Sequence, residues 1–220
     1  MTPKPKPTKS TRKTSPLCRC APLYINRADY KVCFKCRKPH KPHKIRRVLE
    51  RILDTMVREI VLRRDGFCVC PVPLAGRHGE KRQPGHLITR GKESVKWDLR
   101  NVNEQCQVCN ILHEHYPERY NNWYANKFGM ESYNDLCEDG DVSIKLSIEE
   151  LETLMAQLAE VNRMQLADKN FKPRFSQKQL LSGEWKGMTK AAYGLSGFYS
   201  VTGTSINPSI PLENSQGVRQ

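Results

Sequence analysis

Apolar residues recur at steps of three and four between His43 and Arg64: Ile45, Val48, Leu49, Ile52, Leu53, Met56, Val57, Ile60 and Val61. That period lines them along one side of an α-helix. The other side carries Arg46, Arg47, Arg51, Arg58, Arg63 and Arg64, a face that either lies along DNA or is solvated. Asp65-Gly66 closes the helix, and residues 67 to 115 read as short turns and strands ending in a helix. Tyr116, Tyr120, Trp123, Tyr124 and Phe128 then continue that helix, or restart it after Pro117. An aromatic stripe of this kind is more often core than a platform for stacked bases.

Ser147 followed three residues later by Glu150 has the form of a capping box, and Ile148, Leu151, Leu154, Met155, Leu158 and Val161 continue it as an amphipathic helix. This helix packs either on the body or on a second copy. Residues 1 to 16 are Pro, Lys, Thr and Ser with nothing to bury, so they read as a disordered basic leader. After about Asn170 periodicity stops, and Trp185, Tyr193, Phe198 and Tyr199 follow no template, which predicts a flexible tail over 170–220. The expected organisation is a leader (1–16), a knuckle (17–42), a basic helix (43–65), a central domain (66–136), a helical extension (137–169) and the tail. The implied fold class is α+β.

Charge changes this picture because it is uneven. Residues 1 to 65 hold 19 Lys and Arg against 5 Asp and Glu, whereas residues 66 to 220 hold 18 against 18. The formal net charge of +14 thus lies wholly in the first third. A basic arm beside a neutral body is the footprint of a polyanion binder, although a solvated tail has the same composition. No run of about 18 apolar residues occurs, which argues against a membrane span. The basic start is not followed by the apolar stretch of a secretory signal. Nine cysteines without that signal read as thiols in a reducing compartment, the cytoplasm.

Eight of the nine fall into two quartets. Cys18, Cys20, Cys33 and Cys36 form C-R-C and C-F-K-C pairs, and Cys68, Cys70, Cys106 and Cys109 form C-V-C and C-Q-V-C pairs. Two close pairs of soft ligands are what a tetrahedral zinc ion requires, so two structural zinc sites are expected. His40 and His43 are alternatives for one thiolate of the first quartet. Cys137 is left over as an ordinary half-buried thiol. Trp97 is expected to fill the small core under the central strands.

Between the halves of the second quartet runs QPGHLITRGKESVKWDLRNVNEQCQVCNILHEH, preceded by RRDGFCVC. The ordered set RRDGFCVC, GHLITRG, VKWDLRNV and QCQVCN resembles the lambdoid phage NinG/Rap recombination proteins, within the HNH (ββα-metal) endonucleases, over about Leu62 to Leu136. The resemblance implies a zinc-stapled nuclease unit that hydrolyses DNA with Mg²⁺ or Mn²⁺. His86 would be the general base, Asn101 would brace the loop that carries it, and Asn110 would bind the catalytic ion through its amide oxygen. Most HNH enzymes place a metal-binding Asp or His directly before the base, and here that residue is Gly85. Glu114 or His113, on the same helix as Asn110, is the candidate replacement, with Glu114 preferred. Arg46, Arg47, Arg90 and Lys92 are the candidate DNA contacts. The implied partner is branched or four-way DNA in phage recombination, together with phage or host recombination proteins. Symmetric cutting of a junction would call for a homodimer. Two other readings are a zinc-containing DNA-binding protein with an inactive nuclease fold, and an HNH nicking enzyme of packaging or mobility.

Overall fold

The computed structural model describes residues 31, 37–70 and 77–188. Within them, six helices and one antiparallel pair of strands follow in the order α1 (Pro42–Asp65), β1 (Arg82–His86), β2 (Val102–Cys106), α2 (Gln107–His113), α3 (Pro117–Phe128), α4 (Met130–Asp141), α5 (Ile148–Ala167) and α6 (Gln177–Ser182). This mixture is compatible with an α+β class. No helix among the described residues is long and apolar enough to cross a membrane. The chain divides into two compact units, Arg46–Thr202 and Met1–Ile45 with Gly203–Gln220. In the latter, the His40 amide donates to the Lys31 carbonyl at 2.8 Å. The leader, the cysteines of the first quartet and residues 189–220 lie outside the described residues.

The period of three and four becomes a 24-residue helix that buries Leu49, Leu53, Val57, Ile60 and Val61. It stops where Gly66 takes a left-handed conformation, φ 77°, which a side chain would resist. Not all of its arginines form a solvated face. Arg63 donates to Asn162 at 2.6 Å and to Gln165 at 3.1 Å, tying α1 to α5. Arg64 is only 5% exposed and donates to the carbonyls of Leu99, Val102 and Pro173. Asp65, beside it, accepts from the Glu104 amide at 2.8 Å. These bonds fasten the end of α1 to β2 and to the later chain.

The strands pair with Arg82 opposite Cys106 and His86 opposite Val102. β2 is buried throughout although three of its five residues, Asn103, Glu104 and Gln105, are polar. Each finds a partner. Arg82 forms an ion pair with Glu104, Asn103 accepts from Arg64 and Arg174, and Gln105 Nε2 donates to Cys70 Sγ at 3.3 Å. Bonding of this kind offsets the cost of burying polar groups, although Gln105 Oε1 is buried without a partner. Beyond the hairpin, α3 restarts at Pro117 and buries Tyr120 and Tyr124 against Leu87, Val95 and Leu136. From Tyr120 to Phe128 the aromatic stripe is therefore core, with Trp123 and Phe128 partly buried against it, whereas Tyr116 is 50% exposed. Trp97 is also buried, 1% exposed, and Cys137 is a half-buried free thiol. The capping box of Ser147 and Glu150 starts α5 as expected.

Two expectations about boundaries require correction. The break expected after residue 136 falls inside α4, which packs against α3. The tail expected from residue 170 is structured as far as 188: Phe171, Phe175, Leu180 and Trp185 are buried, and Ser176 caps α6 with Gln179. They escape a periodicity search because an extended stretch and a short helix bury them at irregular spacing. Trp185, fully buried and bonded through Nε1 to Gln157 at 3.0 Å, anchors this segment. Trp185→Ala is expected to cost about 3–5 kcal/mol, read as a lowered midpoint in urea unfolding. A midpoint equal to wild type would show that the segment does not belong to the core.

Candidate functional site

The β1–β2–α2 unit presents different chemistry at its two ends. At one end Cys106 closes β2 and caps α2, accepting a hydrogen bond from the Cys109 amide at 3.4 Å. Cys68 and His78 come from the chain before β1. The three Sγ atoms and a ring nitrogen of His78 lie within 4.8 Å of one another, and His78 Nδ1 stands 3.8 Å from both Cys106 Sγ and Cys109 Sγ. A tetrahedral zinc ion with Zn–S of about 2.3 Å and Zn–N of about 2.0–2.1 Å separates its ligands by roughly 3.5–3.8 Å. A Cys₃His set at this spacing fits zinc.

The fourth donor at this spacing is therefore a histidine where a cysteine was expected. His78 completes the group assigned in the sequence to Cys68, Cys70, Cys106 and Cys109. Cys70 lies beside it, 8% exposed and held by Gln105. Cys68 and Cys70 share a hydrogen bond, which pushes the Cys68 thiol down and the Cys70 thiol up. A lone histidine in the stretch GRHGE gave little sequence signal beyond lying between the cysteine pairs.

The other end of the unit holds His86, at the close of β1. Successive residues of a strand face opposite sides, so Gln83 and Gly85 face one way and Pro84 and His86 the other. On the first side Asn110 Nδ2 donates to Gln83 at 3.0 Å, and the His113 ring meets the Tyr120 ring edge-on at 4.5 Å. A Cβ on Gly85 would lie 1.9 Å from Gln105 Oε1 and 2.6 Å from its Cδ. The glycine that departs from the HNH pattern thus has a packing reason: the buried Gln105 side chain occupies that space. Among the described residues, Asn110, His113 and Glu114 join no group of three or more His, Cys, Asp or Glu donors.

On the second side His86 lines a hollow of about 200 Å³ with Asp54, Arg58, Arg90, Lys96 and Trp97. Its Nε2 lies 3.1 Å from the Lys96 carbonyl, an acceptor, so that nitrogen must carry the proton. Nδ1 then holds the lone pair, and among the described residues no hydrogen bond reaches it. Burial pushes the imidazole down to about 4, and the positive charge of Arg90 adds to the effect. His86 is therefore neutral across the physiological range. Asn101, fully buried, donates to the carbonyls of Ile88 and Val95 at 3.0 and 2.9 Å and accepts from the Ile88 amide at 2.7 Å. It thereby braces the loop after His86, from which Arg90 and Lys96 project.

The candidate DNA contacts fare differently. Arg46 is tied up in packing, paired with Glu50 and Glu93 and donating to the Leu146 carbonyl, so it serves structure. Arg47 is exposed on α1. Arg90 and Lys92 are exposed and pair with Asp54 at 2.7 Å and Asp141 at 3.6 Å. Arg58 and Lys96, which sequence reasoning did not single out as site residues, join the hollow. Comparison with family models, curated proteins and solved structures returns no match.

Proposed function

We propose that the protein is a DNA endonuclease whose reaction is centred on His86, within the NinG-like, HNH class that its motifs resemble. One observation carries this reading: an imidazole held neutral by burial, its Nε2 fixed on a carbonyl and its Nδ1 without a hydrogen-bond partner among the described residues, in the wall of a hollow with three cationic side chains. Nδ1 takes a proton from the attacking water as the water oxygen adds to phosphorus. Arg58, Arg90 and Lys96 stabilise the charge that develops on the phosphoryl oxygens. The 3′ oxygen leaves, giving 5′-phosphate and 3′-hydroxyl ends. Asn101 keeps the loop in register with the base.

Zinc held by Cys68, His78, Cys106 and Cys109 would supply a cross-link between the loop before β1 and the start of α2. The Mg²⁺ or Mn²⁺ requirement rests on the resemblance, with Asn110 and either Glu114 or His113 as the residues that would hold the ion. Branched DNA, a homodimer, recombination partners and a cytoplasmic site of action belong to the same proposal and rest on the resemblance alone. A second reading, a zinc-containing DNA-binding protein with an inactive fold, is favoured by Gly85, which cannot supply a metal ligand before His86.

The acid limb of cleavage tests the role of His86. An unperturbed histidine would lose activity below about pH 6.5. With the folded pKa near 4, kcat/KM should stay roughly flat from pH 8 down to about pH 5, because it reports the free enzyme's base. A half-maximal point between pH 6 and 7 would contradict the assignment. Stability carries the same linkage with a fixed sign. The unfolded chain binds a proton near pH 6.5 and the folded chain only near 4, so stability falls as pH drops through that window.

A further inference from the structure

Arg90 and Arg58 approach the hollow from different elements and in different states. Arg90 Nη2 is held by Asp54 Oδ2 at 2.7 Å, while Asp54 Oδ1 accepts from the buried Trp97 Nε1 at 2.9 Å. Asp54 is thus fixed by Trp97 and holds Arg90 in turn. Arg58, exposed on the next turn of α1, makes its one recorded hydrogen bond to a neutral group, the Arg82 carbonyl, at 3.3 Å. Lys96 stands 3.8 Å from Glu50, with its ammonium over the Trp97 ring at 4.4 Å. Among the described residues, the hollow therefore contains an arginine without a carboxylate partner and another whose carboxylate is displaceable, since the Arg90 side chain is 59% exposed.

We propose that Arg58 and Arg90 are a two-point clamp for one DNA phosphodiester, and that Asp54 sets its affinity by competing with the phosphate for Arg90. The inference rests on the nuclease reading for its ligand. Each of the two non-bridging oxygens of a phosphodiester can accept from one guanidinium, whereas one oxygen of Asp54 is already taken by Trp97. Entry of the phosphate transfers Arg90 from Asp54 to the ligand, while Trp97 keeps Asp54 in place. The negative charge of Asp54 also repels a phosphate directly, so both effects have the same sign.

The full-length chain, with zinc content and thermal unfolding verified, is titrated into a fluorescent single-stranded oligodeoxynucleotide without added divalent ion. Anisotropy gives Kd, and a gel confirms that the strand stays intact. Arg58→Gln and Arg90→Gln should each weaken binding by about tenfold. Asp54→Asn, which can still accept from Trp97, should tighten it by about three- to tenfold, and that gain should vanish in the Asp54→Asn, Arg90→Gln double variant. Wild-type affinity in Arg58→Gln or Arg90→Gln, or unchanged or weaker binding by a folded Asp54→Asn, overturns the clamp. Should Asp54→Asn not fold, the two arginine variants decide alone, and both must weaken binding. Failure of the clamp while cleavage still depends on His86 overturns this inference and leaves the nuclease reading intact. A wild-type chain that binds no DNA overturns both.

Discussion

His86→Ala is expected to slow DNA cleavage by about two to four orders of magnitude while leaving DNA affinity and zinc content near wild type. The variant deletes the nitrogen that takes the proton. It leaves the Cys₃His group untouched at the other end of the unit, and Asn101 still bonds Ile88 and Val95. The hydrogen bond it loses is the one to the Lys96 carbonyl, which water can replace in the hollow that His86 lines. Because the folded imidazole resists protonation, His86→Ala should also unfold less steeply than wild type as pH drops below about 6.5. A variant that cuts as fast as wild type would remove His86 from the chemistry. One that neither cuts nor binds would report a structural role.

The second large effect concerns metal. Cys106 is at once a ligand, the N-cap of α2 and the last residue of β2, so Cys106→Ser should lose one zinc per chain and unfold the β1–β2–α2 unit. Structural zinc in small domains contributes on the order of 10 kcal/mol to folding, more than a domain's usual margin of about 5–15 kcal/mol can readily lose. His78→Ala should lower zinc affinity with less damage, since His78 is an exposed loop residue and neither caps nor ends an element. Cys70→Ala should retain the metal. Elemental analysis distinguishes these outcomes: full zinc in His78→Ala together with loss in Cys70→Ala would restore the all-cysteine set. The first cysteine quartet predicts a second zinc in the wild-type chain, unaffected by these changes.

The helices were legible where one physical rule governed them. The apolar period of α1, the capping box of α5 and the cysteine pair flanking the start of α2 are local signals, and each appears where its residues require. The segment from 171 to 188 was not legible, because burial there comes from tertiary contacts made by Phe171, Phe175 and Trp185 at irregular spacing. β2 was hidden for a related reason: a fully buried strand reading Val-Asn-Glu-Gln-Cys has no apolar alternation. The fates of the α1 arginines depend on residues about 35 to 110 positions away, which a sequence pattern cannot express. The opposite orientation of Gly85 and His86 was available from strand alternation. It separates the hollow from the α2 residues Asn110 and His113.

The central claim is that the hollow at the end of β1 hydrolyses DNA. Its most direct test is incubation of the purified full-length chain with labelled linear, flapped and four-way DNA, in Mg²⁺, in Mn²⁺ and in EDTA, beside His86→Ala. The account predicts cleavage of at least one branched substrate by wild type, with 5′-phosphate and 3′-hydroxyl ends, and its loss in His86→Ala. Binding without cleavage of any substrate under all three conditions would contradict it and leave a zinc-containing DNA-binding protein.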